Sequence, residues 1–170
     1  RYGSGKQSQQ ITIREKSKIQ RGIKQKINII DSKDEYEFSI YFKGENQKVF
    51  INIGEINFTF NANKNWKKIK KTFTFKKSNS LKTLSISIKS GTIFIANCSL
   101  MPKNTIFGFR KDITEMIKEW KPSYIRWPGG NFLSGYNWQN GVGKKDYRLP
   151  YYDHAWYQWE YNDVGTDEFM

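Results

Sequence analysis

From residue 35 to residue 100 apolar and polar residues alternate, and this period of two restricts the fold more than any other feature. "EYEFSIYFKG" sets Tyr36, Phe38, Ile40 and Phe42 on one face against Glu35, Glu37, Ser39 and Tyr41 on the other. "KVFINIG" repeats the pattern through Val49, Ile51 and Ile53, and "INFTFN" through Ile56, Phe58 and Phe60. "WKKIKKTFTF" places Ile69, Lys71, Phe73 and Phe75 on one face, and "LKTLSISIKSG" does the same with Leu84, Ile86 and Ile88 before "GTIFIANCSL". Upstream, "QQITIRE" and "GIKQKINII" fit two more strands. Side chains two apart share a face of a strand, and Gly, Asn and Ser break the pattern every ~8–12 residues, as turns of an antiparallel sandwich would. Neither a helical period nor a repeat of fixed length is visible in this part.

At "SLMPKNT" the pattern changes, and a boundary is placed at Pro102 to Thr105. "RKDITEMIKEWKP" sets Ile113, Met116, Ile117 and Trp120 at i, i+3, i+4 and i+7, an apolar stripe on a helix that Pro122 ends. "SYIRW" then reads as a short apolar strand stopped by Pro128, Gly129 and Gly130, where the glycines allow a sharp turn. Helix, strand and a long aromatic loop make half of a βα repeat, a fold type whose functional groups follow the C-terminal ends of strands.

Charge and aromatic content separate the same two parts. Residues 1–104 hold 21 Lys+Arg against 7 Asp+Glu, a balance of +14, whereas residues 105–170 hold 8 against 9. Lys outnumbers Arg by 23 to 6, while phosphate readers usually lean on the bidentate guanidinium. The excess is therefore read chiefly as solvated strand faces and compositional bias. Nucleic acid is not expected as a partner, since Trp66 is the only Trp of the basic part and no stacking platform is evident. No apolar run approaches the ~18 residues of a membrane span, so no membrane partner is expected. One Cys (Cys98) leaves no internal disulfide, and one His (His154) argues against a His-based metal cage. Neither a metal nor a cofactor is expected.

The other five Trp lie after residue 105. Between 131 and 163, Asn131, Asn137, Gln139, Asn140, Gln158 and Asn162 accompany Trp138, Trp156 and Trp159. Aromatic rings pack on the C–H face of a sugar, and amides supply paired donors and acceptors for its hydroxyls. Trp138 and Trp159 are read as buried loop anchors, His154 as structural and Cys98 as a small buried residue in its strand. Among the carboxylates, Asp167 and Glu168 stand at the start of a helical turn, where the dipole favours acids. They are read as capping or solvated groups, and Glu160 as an orienting one. In the first part Tyr36, Tyr41 and Trp66 are the surface aromatics a glycan would meet, although alternation puts Tyr36 on the core face.

"FRKDITEMIKEWKPSYIRWPGGNFLSGYNWQNGVG" followed by "AWYQWEYNDVGTDEFM" resembles the α-L-arabinofuranosidases of glycoside hydrolase family 51, almost continuously from Leu100 to Met170. Residues 7–101 resemble, more weakly, the carbohydrate-binding sandwich that some members carry. The resemblance implies a β-sandwich (jelly-roll, galactose-binding-like) over residues 1–104, followed at 105–170 by an incomplete (β/α)8 barrel segment. It implies a retaining hydrolase that releases terminal α-L-arabinofuranose from arabinose-containing polysaccharide or oligosaccharide. The alternative is a non-catalytic carbohydrate-binding module with a barrel remnant. It implies substrate contacts at Asn131 and Trp156, with Glu160 and Asn162 closing the same loop. The two glutamates of the retaining pair match nothing here, so no catalytic residue is assigned and these 170 residues alone are expected to be inactive. The chain opens without Met and stops at "GTDEFM", so both ends read as cut. "YYDHAWYQWEYND" carries more aromatics than the family pattern. On compartment the reading leans to extracellular over cytoplasmic, and the sequence does not give the oligomeric state.

Overall fold

Every alternating segment of the first part is a strand in the computed structural model, which describes residues 8–29, 34–76 and 80–170. The strands are β1 (Gln9–Ile13), β2 (Arg21–Ile29), β3 (Glu35–Gly44), β4 (Lys48–Ile53), β5 (Ile56–Asn61), β6 (Lys67–Thr74), β7 (Ser80–Ile88) and β8 (Gly91–Pro102). Ile30, expected at the end of β2, lies outside the described residues. These strands make two four-stranded sheets, ordered β1-β8-β3-β6 and β2-β7-β4-β5. Every pairing is antiparallel, and the unit is a jelly-roll sandwich spanning Ser8–Lys103.

Alternation decides what each sheet buries. Phe38, Ile40 and Phe42 of β3 meet Val49, Ile51 and Ile53 of β4 and Ile86 and Ile88 of β7, all essentially without solvent contact. Rings cross between the sheets at Phe38–Phe58, 5.7 Å, and Phe42–Phe60, 6.3 Å. Each such side chain contributes roughly 1.5–3 kcal/mol on burial, so the core needs no other staple. The β4–β5 hairpin turns on Gly54 and Glu55, and Gly54 takes φ +60°. That is the first loop position, where Gly is favoured in two-residue hairpins.

Tyr36 lies in the core, edge-on to Phe75 at 5.2 Å. Tyr41 is also buried, with the Lys68 ammonium 5.1 Å from its ring centroid, and Trp66 is half-buried. Cys98 departs from expectation, because it is exposed. It stands beside a bulge where the β3–β8 register slips between Ser39↔Ser99 and Tyr41↔Ala96, with Asn97 at φ +46°. One extra residue in β8 breaks the alternation on which the buried reading of Cys98 rested.

The second unit runs from Asn104 to Met170. Its helix α1 (Lys111–Trp120) forms as expected, ending on Lys121 in the left-handed region just before Pro122. Its apolar stripe, however, is not buried: Ile113, Met116, Ile117 and Trp120 all stay exposed. Beyond it come three short 3-10 turns (Gly130–Ser134, Trp138–Gly141 and Lys145–Tyr147), a small hairpin of β9 (Tyr151–Asp153) and β10 (Gln158–Glu160), and the one-turn helix α2 (Thr166–Phe169). The expected barrel segment is not visible among the described residues. "SYIRW" forms no strand, and Tyr124 and Ile125 are exposed. A parallel strand is defined by the neighbours it bonds on each side, and no described strand pairs with residues 123–127.

Candidate functional site

The loops after α1 are held by an aromatic cluster and by one buried ion pair. Trp127 stacks on Phe169 with centroids 4.2 Å apart, and it also meets Tyr136 and Phe132. Phe132 packs on Tyr136 at 4.5 Å, and both rings meet Tyr151 of β9. The buried indole N–H of Trp127 has no hydrogen-bond partner among the described residues. Edge-to-face and offset ring pairs of this kind fix loop geometry without regular secondary structure.

Arg148 supplies the polar half of the framework. Its side chain is 1% exposed. Nη1 and Nη2 donate to the Glu168 carboxylate at 2.6 and 3.0 Å, Nη1 also to the Asn162 carbonyl at 3.0 Å, and Nε to the Gly143 carbonyl at 3.0 Å. Glu168 in turn accepts the Gly165 N–H at 2.8 Å, closing the start of α2, and Asp167 accepts the Gly143 N–H at 2.7 Å. Burial is the largest influence on Glu168 and opposes its charge. The Arg148 and Gly165 hydrogen bonds and the nearby Lys145 and Arg148 charges together outweigh it, and they hold the carboxyl below its ordinary range. Close approach is built in as well: a Cβ on Gly165 would sit 2.5 Å from the Gly141 carbonyl oxygen. The "GVG" and "GTDEF" segments are therefore one interlocked piece.

Asn162 is part of this framework. It is 1% exposed and takes φ +56°. Its Oδ1 accepts the Tyr136 hydroxyl at 3.0 Å, its Nδ2 donates to the Leu149 carbonyl at 2.6 Å, and its N–H donates to Glu160 Oε1 at 2.8 Å. Glu160 and Asn162 are thus brought together, but the amide of Asn162 is spent within the protein. Burial, and then the negative charge of Glu160, raise the Tyr136 hydroxyl above its ordinary pKa, so it stays a donor to Asn162.

Trp156 and Asn131 are placed differently. Trp156 sits on the β9–β10 turn, 63% exposed. Asp153, itself buried, accepts the backbone N–H groups of Ala155 and Trp156 at 2.8 and 3.3 Å and so shapes that turn. Asn131 is exposed in the turn at Gly130–Ser134, and its Oδ1 accepts the Ser134 hydroxyl at 3.1 Å. No hydrogen bond or ring contact joins Asn131 to Trp156 among the described residues. Trp138 and Trp159 are not the buried anchors expected: both are exposed, and Trp159 leans on Tyr152 at 5.4 Å. His154, on the same turn, packs edge-on to Tyr152. Two short hairpin strands cannot enclose rings as large as indole, so Trp156 and Trp159 face outward.

Arg148, Asp153 and Tyr136 were not singled out from the sequence. Arg148 carried one available signal, since it stands between Tyr147 and Leu149, ahead of Pro150, Tyr151 and Tyr152, with an acidic pair about twenty residues on. A charged residue in such company is rarely buried unless paired.

Residues 116–170 match the family described as the alpha-L-arabinofuranosidase 1 domain. The intracellular exo-alpha-(1->5)-L-arabinofuranosidase 1 of Bacillus subtilis (strain 168) is 56% identical over 63 residues, which are 37% of this chain and 13% of that protein. The exo-alpha-(1->6)-L-arabinofuranosidase of Bifidobacterium longum is 51% identical over 61 residues, 36% of this chain and 12% of that protein. The chain thus spans about an eighth of the length of these relatives. Among solved structures, one described as "CBM4 structure and function" aligns with 61% of this chain and 76% of its own at TM-score 0.49 and 18% identity. The CBM22-1 xylan-binding domain of Paenibacillus barcinonensis Xyn10C covers 57% of this chain and 72% of its own at TM-score 0.44 and 14% identity. The extracellular lean of the sequence reading is corrected by the relatives' names: that of Bacillus subtilis and another from Halalkalibacterium halodurans, 48% identical over 63 residues, are both called intracellular.

Proposed function

We propose that this chain belongs to a retaining glycoside hydrolase that releases terminal α-L-arabinofuranose from arabinose-containing saccharides. The observation that carries the reading is the match of residues 116–170 to the arabinofuranosidase domain. That segment contains Asn131, Trp156, Glu160 and Asn162 and the whole Arg148–Glu168 framework. In this reading Asn131 meets a sugar hydroxyl and Trp156 offers its exposed ring to the C–H face of the arabinose. Glu160 and Asn162 act from behind by holding the loop that carries Trp156, and Tyr136 locks Asn162.

A retaining pair needs two carboxyls ~5–5.5 Å apart on either side of the bond to be cleaved. Four carboxylates of this unit are engaged within the protein: Asp153 shapes a turn, Asp167 accepts the Gly143 N–H, Glu168 holds Arg148 and the start of α2, and Glu160 takes a backbone N–H. The family pattern that this segment resembles carries its catalytic pair on later strands, and the pair of the proposed hydrolase is assigned on that resemblance to sequence outside these 170 residues.

The test is hydrolysis of p-nitrophenyl α-L-arabinofuranoside by the whole gene product and, separately, by the 170-residue chain. Arabinose released by the whole product with retained anomeric configuration, and none by the shorter chain, is the expected result. A whole product that releases no arabinose overturns the reading. Turnover by the short chain would move the chemistry back to Glu160.

A further inference from the structure

The outer face of the β2-β7-β4-β5 sheet is basic and carries no acid among the described residues. Strand register arranges it in rows. Lys89, just past β7, lies beside Lys48 and Asn61; Gly22, Ser87, Phe50 and Thr59 form the next row, followed by Lys24, Ser85, Asn52 and Asn57, and then Lys26 with Thr83. The alternate positions on these strands are the core residues Ile86, Ile88, Val49, Ile51 and Ile53, so the named set points outward. It holds four lysines and no Asp or Glu. The other sheet is unlike this: its Glu37 pairs with Lys70 at 2.8 Å, and Glu35 with Lys103 at 2.7 Å.

The centre of the face is specific. The ammonium groups of Lys48 and Lys89 each lie 5.7 Å from the centroid of the half-buried Phe50 ring. Each cation gains from the ring quadrupole, but the two like charges near one ring repel each other, and among the described residues neither forms an ion pair. An anion bound beside Phe50 would relieve that repulsion. In the neighbouring row Asn52 Nδ2 donates to Ser85 Oγ at 3.2 Å, and Thr59 and Asn57 add a hydroxyl and an amide. Four strands give a face about 14 Å across, from three spacings of ~4.8 Å.

We propose that this face binds an acidic polysaccharide, with a uronate carboxylate held by Lys48 and Lys89 beside Phe50 and neighbouring sugar hydroxyls met by Asn52, Ser85 and Thr59. The saccharide class rests on the carbohydrate reading above, whereas the demand for negative charge rests on the lysines alone. Phosphate-backbone binding is disfavoured because the face offers no Arg and only one half-buried ring for base stacking.

The experiment is affinity electrophoresis of the 170-residue chain through gels holding polygalacturonate, neutral arabinan or duplex DNA, at low and at physiological salt. Binding to polygalacturonate at least tenfold tighter than to arabinan is expected. Lys48→Gln/Lys89→Gln should weaken it tenfold or more, and Lys43→Gln/Lys68→Gln, an equal loss of charge on the β1-β8-β3-β6 sheet, less than threefold. Phe50→Leu, which keeps apolar bulk but removes the ring, should weaken it as well. No retardation by polygalacturonate at low salt overturns the proposal. So does equal binding to arabinan, equal loss in the two double variants, or tighter binding to DNA. None of these outcomes touches arabinose release by the whole gene product, so the two readings fail separately.

Discussion

Removing Glu168 should unlock the loops of the second unit while leaving the sandwich intact. Glu168→Ala takes away both carboxylate oxygens from Arg148 and one acceptor from the Gly165 N–H. A hydrogen bond to a charged group is worth ~1.5–3 kcal/mol, and stranding one member of a buried ion pair typically costs ~3–5 kcal/mol. The lower end applies here, because Asp167 Oδ2 lies 3.8 Å from Arg148 Nη2 and can take part of the charge. About 3 kcal/mol is therefore expected, a large share of the 5–15 kcal/mol that stabilises a whole domain. Tryptophan fluorescence during urea unfolding reads this unit selectively, since five of the six Trp lie within it. Its midpoint should fall steeply, or the transition should already be complete in buffer, while the β-sheet circular dichroism of the sandwich unfolds as before. A second variant separates pairing from simple loss of bulk. Arg148→Met/Glu168→Met removes both charges together and should recover much of the loss. The sign with pH is set by the lowered carboxyl of Glu168. Its contribution is complete above the ordinary value of 4.5 and disappears as pH falls through the lower folded-state value, so parent and Glu168→Gln should converge in acid. A Glu168→Ala midpoint within about 0.5 kcal/mol of the parent, or a double variant no better than the single, would refute the reasoning.

Two further outcomes follow from the same geometry. Asn131→Ala in the whole gene product should lower kcat/KM about ten- to a hundredfold, the effect of losing a ~1–3 kcal/mol contact to a substrate hydroxyl; unchanged kinetics with a lowered melting temperature would leave only its local bond to Ser134. At the β4–β5 hairpin, the Lys82 ammonium and then the Lys76 N–H hold the Glu55 carboxyl down to about 2. A side-chain carbon NMR titration should accordingly show Glu55 ionised to far lower pH than its ordinary value of 4.5, with its support for the hairpin lost only near pH 2; a midpoint in the usual carboxylate range would remove the pairing from solution.

The sandwich was legible in the sequence because its information is local. Val49, Ile51 and Ile53 alternate with Lys48, Phe50 and Asn52, and a strand with such a pattern has one way to face a core. Cys98 escaped because a single extra residue at Asn97 shifts the register, and no period announces a bulge. In the second unit α1 was legible from its stripe and from Pro122, but which surface covers Ile113, Met116, Ile117 and Trp120 is not a local property. "SYIRW" shows the same limit from the other side. Its composition is that of a buried strand, yet a strand exists only through its ladder partners, and without them the segment runs unpaired. The candidate site was legible as chemistry and not as architecture: aromatic rings and amides mark the 131–162 region, but composition could not distinguish the exposed Trp156 from the buried Asn162. What separates them is Arg148. It recruits the Asn162 carbonyl and Glu168 from positions 14 and 20 residues away, so Asn162 turns inward and the β9–β10 turn is left to present Trp156 outward. The residue that organises the site thus draws its partners from outside any local window of the sequence.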